Sequence, residues 1–289
     1  MENKVMKEPK SHGMSLHAQR VLAHVVLIFI TILCLFWFYV LLINCTRSNA
    51  EMGRGFTFIP SSHLGENWIN LNHGTLPIWN GLVNSLIIAS FSSCLSIYVS
   101  AMTAYGVHVY RFKGRKFIST FILAVMMIPT QVTALGFLQL IGKMGLMDSW
   151  LPLIIPAAAA PVTYFYMKQY LESTLPLAIV EASRIDGAGE FKTFNTIVFP
   201  IIKPALAVQL IFAFVSSWNN YFTPALVLTT EKKKTLPILI AELRAADWLK
   251  FDMGQVYVMI AFAIFPVVVV YLFLSKFIVQ GVALGSVKG

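Results

Sequence analysis

Residues 174–205 read TLPLAIVEASRIDGAGEFKTFNTIVFPIIKPA, a polar interruption between strongly apolar stretches that nevertheless carries helix punctuation. Thr174 is placed to cap a helix and Pro176 suits its first turn, where a missing N–H costs nothing. The helix reads LAIVEASRID, and Gly187 follows as a left-handed stop. Ala178, Ala182 and Ile185 fall on one face by helical spacing, and two of the three are small. A helix with so little bulk on one side fits deep into a groove of another molecule. A second short helix, Glu190 to Val198, must end near Pro200 and Pro204.

Outward from this loop the chain is membrane-like. Of 289 residues, 57% are hydrophobic and 12% charged, with a mean hydropathy of +0.72. Soluble domains carry about 25% charged residues. The net charge of +9 needs no nucleic acid to explain it, because Lys and Arg gather on the cytoplasmic loops of membrane proteins. Residues 1–20 form a polar cytoplasmic tail, and Val21 to Ile43 is long enough to cross a bilayer as an uncleaved anchor. Residues 44–82 form an extracytoplasmic loop whose Trp68 and Trp79 suit the membrane interface. Further spans follow at about Leu82–Tyr105, Phe117–Ile141, Trp150–Met167, Leu206–Thr229 and Gln255–Ile278. Pro129 interrupts the third span, and Pro152, Pro156 and Pro161 kink the fourth.

Six spans put both termini and the 174–205 loop in the cytoplasm. Segments placed inside hold 14 Lys and Arg, including the cluster Arg111, Lys113, Arg115 and Lys116; segments placed outside hold eight. Five of those eight fall in 230–254, against the trend. Cys34, Cys45 and Cys94 fit no disulfide framework or metal spacing. Cys34 and Cys94 read as packing residues. Asn44 before Cys45 is not the small residue that lipoprotein processing requires, and the sequon Asn44-Cys45-Thr46 is a chance pattern.

No phosphate-binding loop of the Gly-x-x-x-x-Gly-Lys-Ser/Thr kind is present, and no triad, carboxylate pair or metal cluster suggests catalysis. The spans lack the interior carboxylates and lysines that ion-coupled carriers use. Their polar groups suit a neutral, hydroxyl-rich ligand. Trp218 and Tyr221 offer aromatic faces, Asn219 and Asn220 offer donors and acceptors, and Gln131, Tyr164 and Tyr166 add to such a lining. Interhelical hydrogen bonding is the competing role for residues 218–221.

Glu181-Ala182-Ser183, then three residues, Gly187, nine residues, Ile197 and Phe199-Pro200 together resemble the EAA motif of bacterial ABC-importer permeases. Ser183 stands where alanine is common and Phe199 where leucine is common. The resemblance runs from Asn84-Ser85-Leu86 to the end, Gly281-Val282-Ala283-Leu284-Gly285-Ser286-Val287-Lys288-Gly289, and is strongest with MalG-like permeases of carbohydrate importers. It implies an all-α integral membrane protein of the type I fold, with six transmembrane helices and a cytoplasmic coupling helix. The permease core would span 83–289, after the first helix and outer loop at 21–82. Glu181, Ala182, Ser183, Asp186 and Gly187 would couple to the ATPase, with Glu181 pairing either with that subunit or with Arg184.

The implied partners are a second, MalF-like permease, two ATPase subunits that hold ATP and Mg, and an extracellular binding protein delivering a sugar or oligosaccharide. The chain itself would hold no cofactor and would sit in a bacterial cell membrane as a non-enzymatic, multi-pass subunit. Two rivals remain open: a self-contained secondary carrier or channel for a neutral polar solute, and an ABC permease for a non-sugar solute. A receptor or scaffold, with no continuous pathway, is a third.

Overall fold

The computed structural model describes residues 16–245 and 252–286; most of the expected N-terminal tail, Lys250 and Lys288 lie outside them. Among the described residues every regular element is helical. The main helices are α1 (Leu16–Cys45), α2 (Ile78–Val109), α3 (Arg115–Val125), α4 (Thr130–Lys143), α5 (Pro161–Thr174), α6 (Leu177–Ile185), α7 (Glu190–Ile201), α8 (Lys203–Trp218), α9 (Leu236–Arg244) and α10 (Met253–Ser286).

α2 is the central post, with α5 and α8 packed against it. Its sequence permits this closeness: Ala89, Ala101 and Ala104 are fully buried, and Ser85, Ser92, Ser96 and Ser100 are nearly so. Small side chains let helix backbones approach where lipid supplies no hydrophobic push. One apolar cluster gathers Tyr105, Met167, Leu171, Phe194 and Val198 around one end of α2. A second joins Ile78, Trp218, Leu236, Leu239 and Met259 at the other. Gly81 lets α9 lie against α2, since a Cβ there would meet Leu239 Cδ1 at 2.5 Å. Ser85 Oγ accepts from the Leu236 N–H at 2.8 Å and so satisfies one free donor of the α9 N-terminus.

α1, α2 and α10 are long and apolar enough to cross a bilayer. α1 is clothed in exposed Leu, Ile and Phe, with Leu27 at 62% and Trp37 at 68% exposure, as a lipid-facing helix requires. Two expected spans are bent pairs: α3 and α4 meet at 99°, α7 and α8 at 83°. Pro129 causes the first break, because it takes the N-cap position of α4 in extended conformation. The fourth expected span is broken rather than kinked. Pro152, Pro156 and Pro161 divide it into a helix at Leu151–Ile154, a 3-10 turn at Ile155–Ala158, and α5.

The fifth expected span stops early, at Trp218. The expected short helix Glu190–Val198 runs on through Pro200 to Ile201. It does so by a π turn at Thr193–Val198, in which the Phe199 N–H reaches back to Phe194 O. Cys34 and Cys94 are exposed on the apolar surface, not packed as expected; Cys45 is the buried one.

Candidate functional site

The 174–205 loop is built around two backbone constraints. A residue before proline is pushed to extended conformation, and Leu175 adopts φ −105°, ψ 98°. The break therefore falls at Leu175–Pro176. Thr174 ends α5 instead of capping α6, and Pro176 takes the N-cap place. At the other end Gly187 has φ +76°, as its glycine identity predicts. The Ala188 N–H bonds Ser183 O and the Gly187 N–H bonds Arg184 O, both at 3.0 Å, which is the Schellman pattern. A Cβ on Gly187 would meet nothing within 4 Å, so the demand for glycine comes from the backbone alone.

α6 buries Val180 and Ser183 and turns its other residues outward. Ser183, where the family has alanine, shares a 2.5 Å hydrogen bond with the buried Thr193 hydroxyl. Ala178, Glu181, Ala182, Ile185 and Asp186 are exposed, Ile185 by 86%, and Phe191 at the start of α7 by 68%. The shared face of Ala178, Ala182 and Ile185 is thus an apolar surface with nothing of this chain upon it.

Glu181 makes no ion pair or side-chain hydrogen bond among the described residues. Its expected partner, Arg184, instead donates to Glu190 Oε1 at 2.6 Å and lies over the Tyr110 ring at 5.5 Å. Glu190 Oε2 accepts from Tyr105 at 3.0 Å. This latch ties the turn between α6 and α7 to the end of α2.

The expected pathway residues mostly fail to meet. A cavity of about 650 Å³ lies between α2, α4, the broken 151–160 segment, α8 and residues 222–226. Of the residues singled out from sequence, Asn220 borders it; Gln131, Tyr164, Trp218, Asn219 and Tyr221 do not. Trp218 turns to the far side of α8, stacked on Phe214 with ring centroids 5.7 Å apart, and its indole N–H donates to Ala263 O at 3.2 Å. That is the packing role. Tyr164 is 2% exposed and donates to Ser119 Oγ at 3.1 Å. Asn219, Gln131 and Tyr166 are exposed. Tyr221 borders a separate hollow beside Lys234 and Glu242.

The polar wall is made instead by Ser92 and Ser96 of α2, Thr163 of α5, and Gln209, Ser216 and Ser217 of α8. Ser92 Oγ and Ser217 Oγ are 3.2 Å apart, and Ser96 Oγ and Thr163 Oγ1 3.4 Å. No lining residue carries a formal charge. A signal existed in the spacing. Gln209, Ser216 and Asn220 repeat at helical intervals, as do Ser85, Ser92 and Ser96.

At the end of the cavity away from α6, Asp148 clasps two chain segments. Its carboxylate accepts from the N–H groups of Thr229 and Thr230 at 2.9 and 3.0 Å and from Lys233 Nζ at 2.9 Å. These bonds, those from Thr230 above all, hold its acid well below the usual carboxylate range.

Comparison with known proteins joins the loop and the cavity to a single family. Residues 96–284 match the family model described as "Binding-protein-dependent transport system inner membrane component". The chain is 31% identical over 284 residues to the arabinooligosaccharides transport system permease protein AraQ of Bacillus subtilis, covering 96% of this chain and 99% of that one. It is 30% identical over 267 residues to the sn-glycerol-3-phosphate transport system permease protein UgpE of Escherichia coli K12, covering 90% and 95%. In fold it superposes on a chain of a bacterial ABC transporter that imports the acidic polysaccharide alginate, with TM-score 0.78, 22% identity, and coverage of 92% of this chain and 98% of that one. The chain therefore belongs to the inner-membrane permease components of binding-protein-dependent ABC transport systems.

Proposed function

We propose that this chain is one of two permease subunits through which an ABC importer passes a neutral, hydroxyl-rich oligosaccharide. The carrying observation is the uncharged wall of hydroxyls and carboxamides around the 650 Å³ cavity. The relatives' names span a neutral sugar, a phosphate ester and an acidic polysaccharide. A phosphate or carboxylate passing through would call for Arg or Lys on the wall. Hydroxyls and amides supply both donors and acceptors, which sugar hydroxyls match.

Energy would come from elsewhere. The apolar face of Ala178, Ala182 and Ile185 would seat in a groove of an ATPase subunit, whose own site holds ATP and Mg. A MalF-like partner would cover the open side of the cavity, and a binding protein would deliver the sugar from outside. Closure of two ATPases would draw the coupling helices together and switch the cavity between its two openings as a rigid-body motion. The exposed Arg111 and Lys113, at the α6 end of α2, favour that end, and with it both termini, as cytoplasmic.

The test is ATP-dependent uptake by the complete importer in proteoliposomes, comparing labelled arabinotriose, glycerol 3-phosphate and an alginate trisaccharide. Arabinotriose is expected to accumulate. Accumulation of the anionic solutes alone would overturn the reading.

A further inference from the structure

We propose that Gln209 is the specificity-determining residue of this subunit's pathway: its carboxamide hydrogen-bonds the hydroxyls of the sugar in transit. The inference rests on the neutral-oligosaccharide reading above and assigns it to one side chain.

Gln209 stands in the middle of α8 at 6% exposure. The other buried carboxamides are used by the protein. Asn67 Nδ2 donates to the carbonyls of Cys45 and Arg47, both at 2.9 Å. Asn84 Nδ2 donates to those of Lys232 and Lys234 at 2.9 and 2.8 Å. Asn44 Oδ1 accepts from Arg47 at 3.3 Å. Gln209 has no hydrogen-bond partner among the described residues, yet it is not sealed in, because it borders the cavity. By contrast, Thr235 Oγ1 is wholly enclosed without a partner.

A buried amide with no partner is costly, and the cost is removed when a hydroxyl enters the cavity. One carboxamide presents two donors and an acceptor, so it can bridge adjacent hydroxyls on a sugar ring. The hydroxyls of Ser92, Ser96 and Ser216 share the same cavity. α8 continues through its 83° bend into α7 and the α6 loop. A movement of the docking surface therefore carries Gln209 with it.

The experiment uses the complete importer with Gln209→Leu and Gln209→Glu. Three quantities are read: co-purification of all subunits, ATP hydrolysis stimulated by the binding protein, and arabinotriose uptake per assembled complex. Gln209→Leu keeps the volume and removes the polar head, so uptake should fall about tenfold while assembly and stimulated hydrolysis persist. Gln209→Glu keeps acceptors for sugar hydroxyls and should retain more uptake than Leu.

Wild-type uptake of arabinotriose with Gln209→Leu unimpaired would overturn the role of Gln209 alone. Wild-type refusal of arabinotriose in favour of the anionic solutes would overturn the neutral-sugar reading and this assignment with it. Loss of assembly in both variants, with normal uptake per surviving complex, would reassign Gln209 to a subunit interface.

Discussion

The docking loop and the cavity are organised in opposite ways. The loop is local: from Leu175 to Phe199 its geometry follows from prolines, one glycine and short-range bonds. The cavity is assembled from α2, α4, α5 and α8, and no two neighbouring residues define it. A local device concentrates its requirement in single positions, whereas a dispersed wall shares it. Substitutions should therefore be near all-or-none in the loop and graded in the cavity, with Gln209 as the exception.

Gly187→Val carries the largest expected effect. A β-branched residue is strained at φ +76°, and no neighbour stands within reach of the new side chain. Membrane insertion and pairing with the second permease should survive, while the ATPase is lost from the purified complex and uptake disappears. Gly187→Asn, which tolerates the left-handed region, should recover much of both. Retention of the ATPase and of uptake by the valine variant would refute the coupling role and level the contrast between the two regions.

Glu190→Gln should do less. The Arg184–Glu190 pair is about 40% exposed, so its loss is worth on the order of 1 kcal/mol or less. The ATPase should stay bound and hydrolyse ATP, with uptake per ATP falling about two- to fivefold as the loop loosens from Tyr105. If uptake per ATP is unchanged, the latch only holds the fold.

The smallest effect is a predicted constancy. Asp148 has its acid held below the ordinary carboxylate value of 3.8. A depressed carboxylate contributes stability that is present above its unfolded value and lost as pH falls through the lower, folded one. The clasp should therefore hold from pH 7 to pH 5, and the difference in melting temperature between the wild type and Asp148→Asn should not change over that range. A difference that shrinks between pH 7 and pH 5 would show that the carboxylate is not so held.

The same contrast explains what could be read from the chain alone. α6, its glycine stop and the apolar face were legible because proline, glycine and helical period act over a few residues. The helix boundary at Thr174 was misread because the extended state of Leu175 before Pro176 outweighed the capping propensity of threonine. The run from Trp218 to Tyr221 looked like a pathway because it was the densest polar stretch in any span. Its members point in different directions, and Trp218 is spent on packing against Phe214 and Ala263. Gln209 stood alone among apolar neighbours, and its importance comes from what it faces. α9 was hidden in a segment read as an outer loop, because its burial depends on Gly81, 155 positions before Leu236.

The π turn at Thr193–Val198 makes chain length itself a specification. A π turn takes in one residue more than an α-helical turn does, and each residue of an α-helix advances the face by about 100°. Removing any one of Thr193 to Val198 would let the segment relax to a regular helix and put Phe194 and Val198 out of phase with each other, although both belong to one buried cluster. The count of residues between Gly187 and Gln209 then sets the angular phase between the surface that receives the motion and the side chain that it moves. Side chains in this stretch are free to vary in kind, and the stretch itself is not free to vary in number.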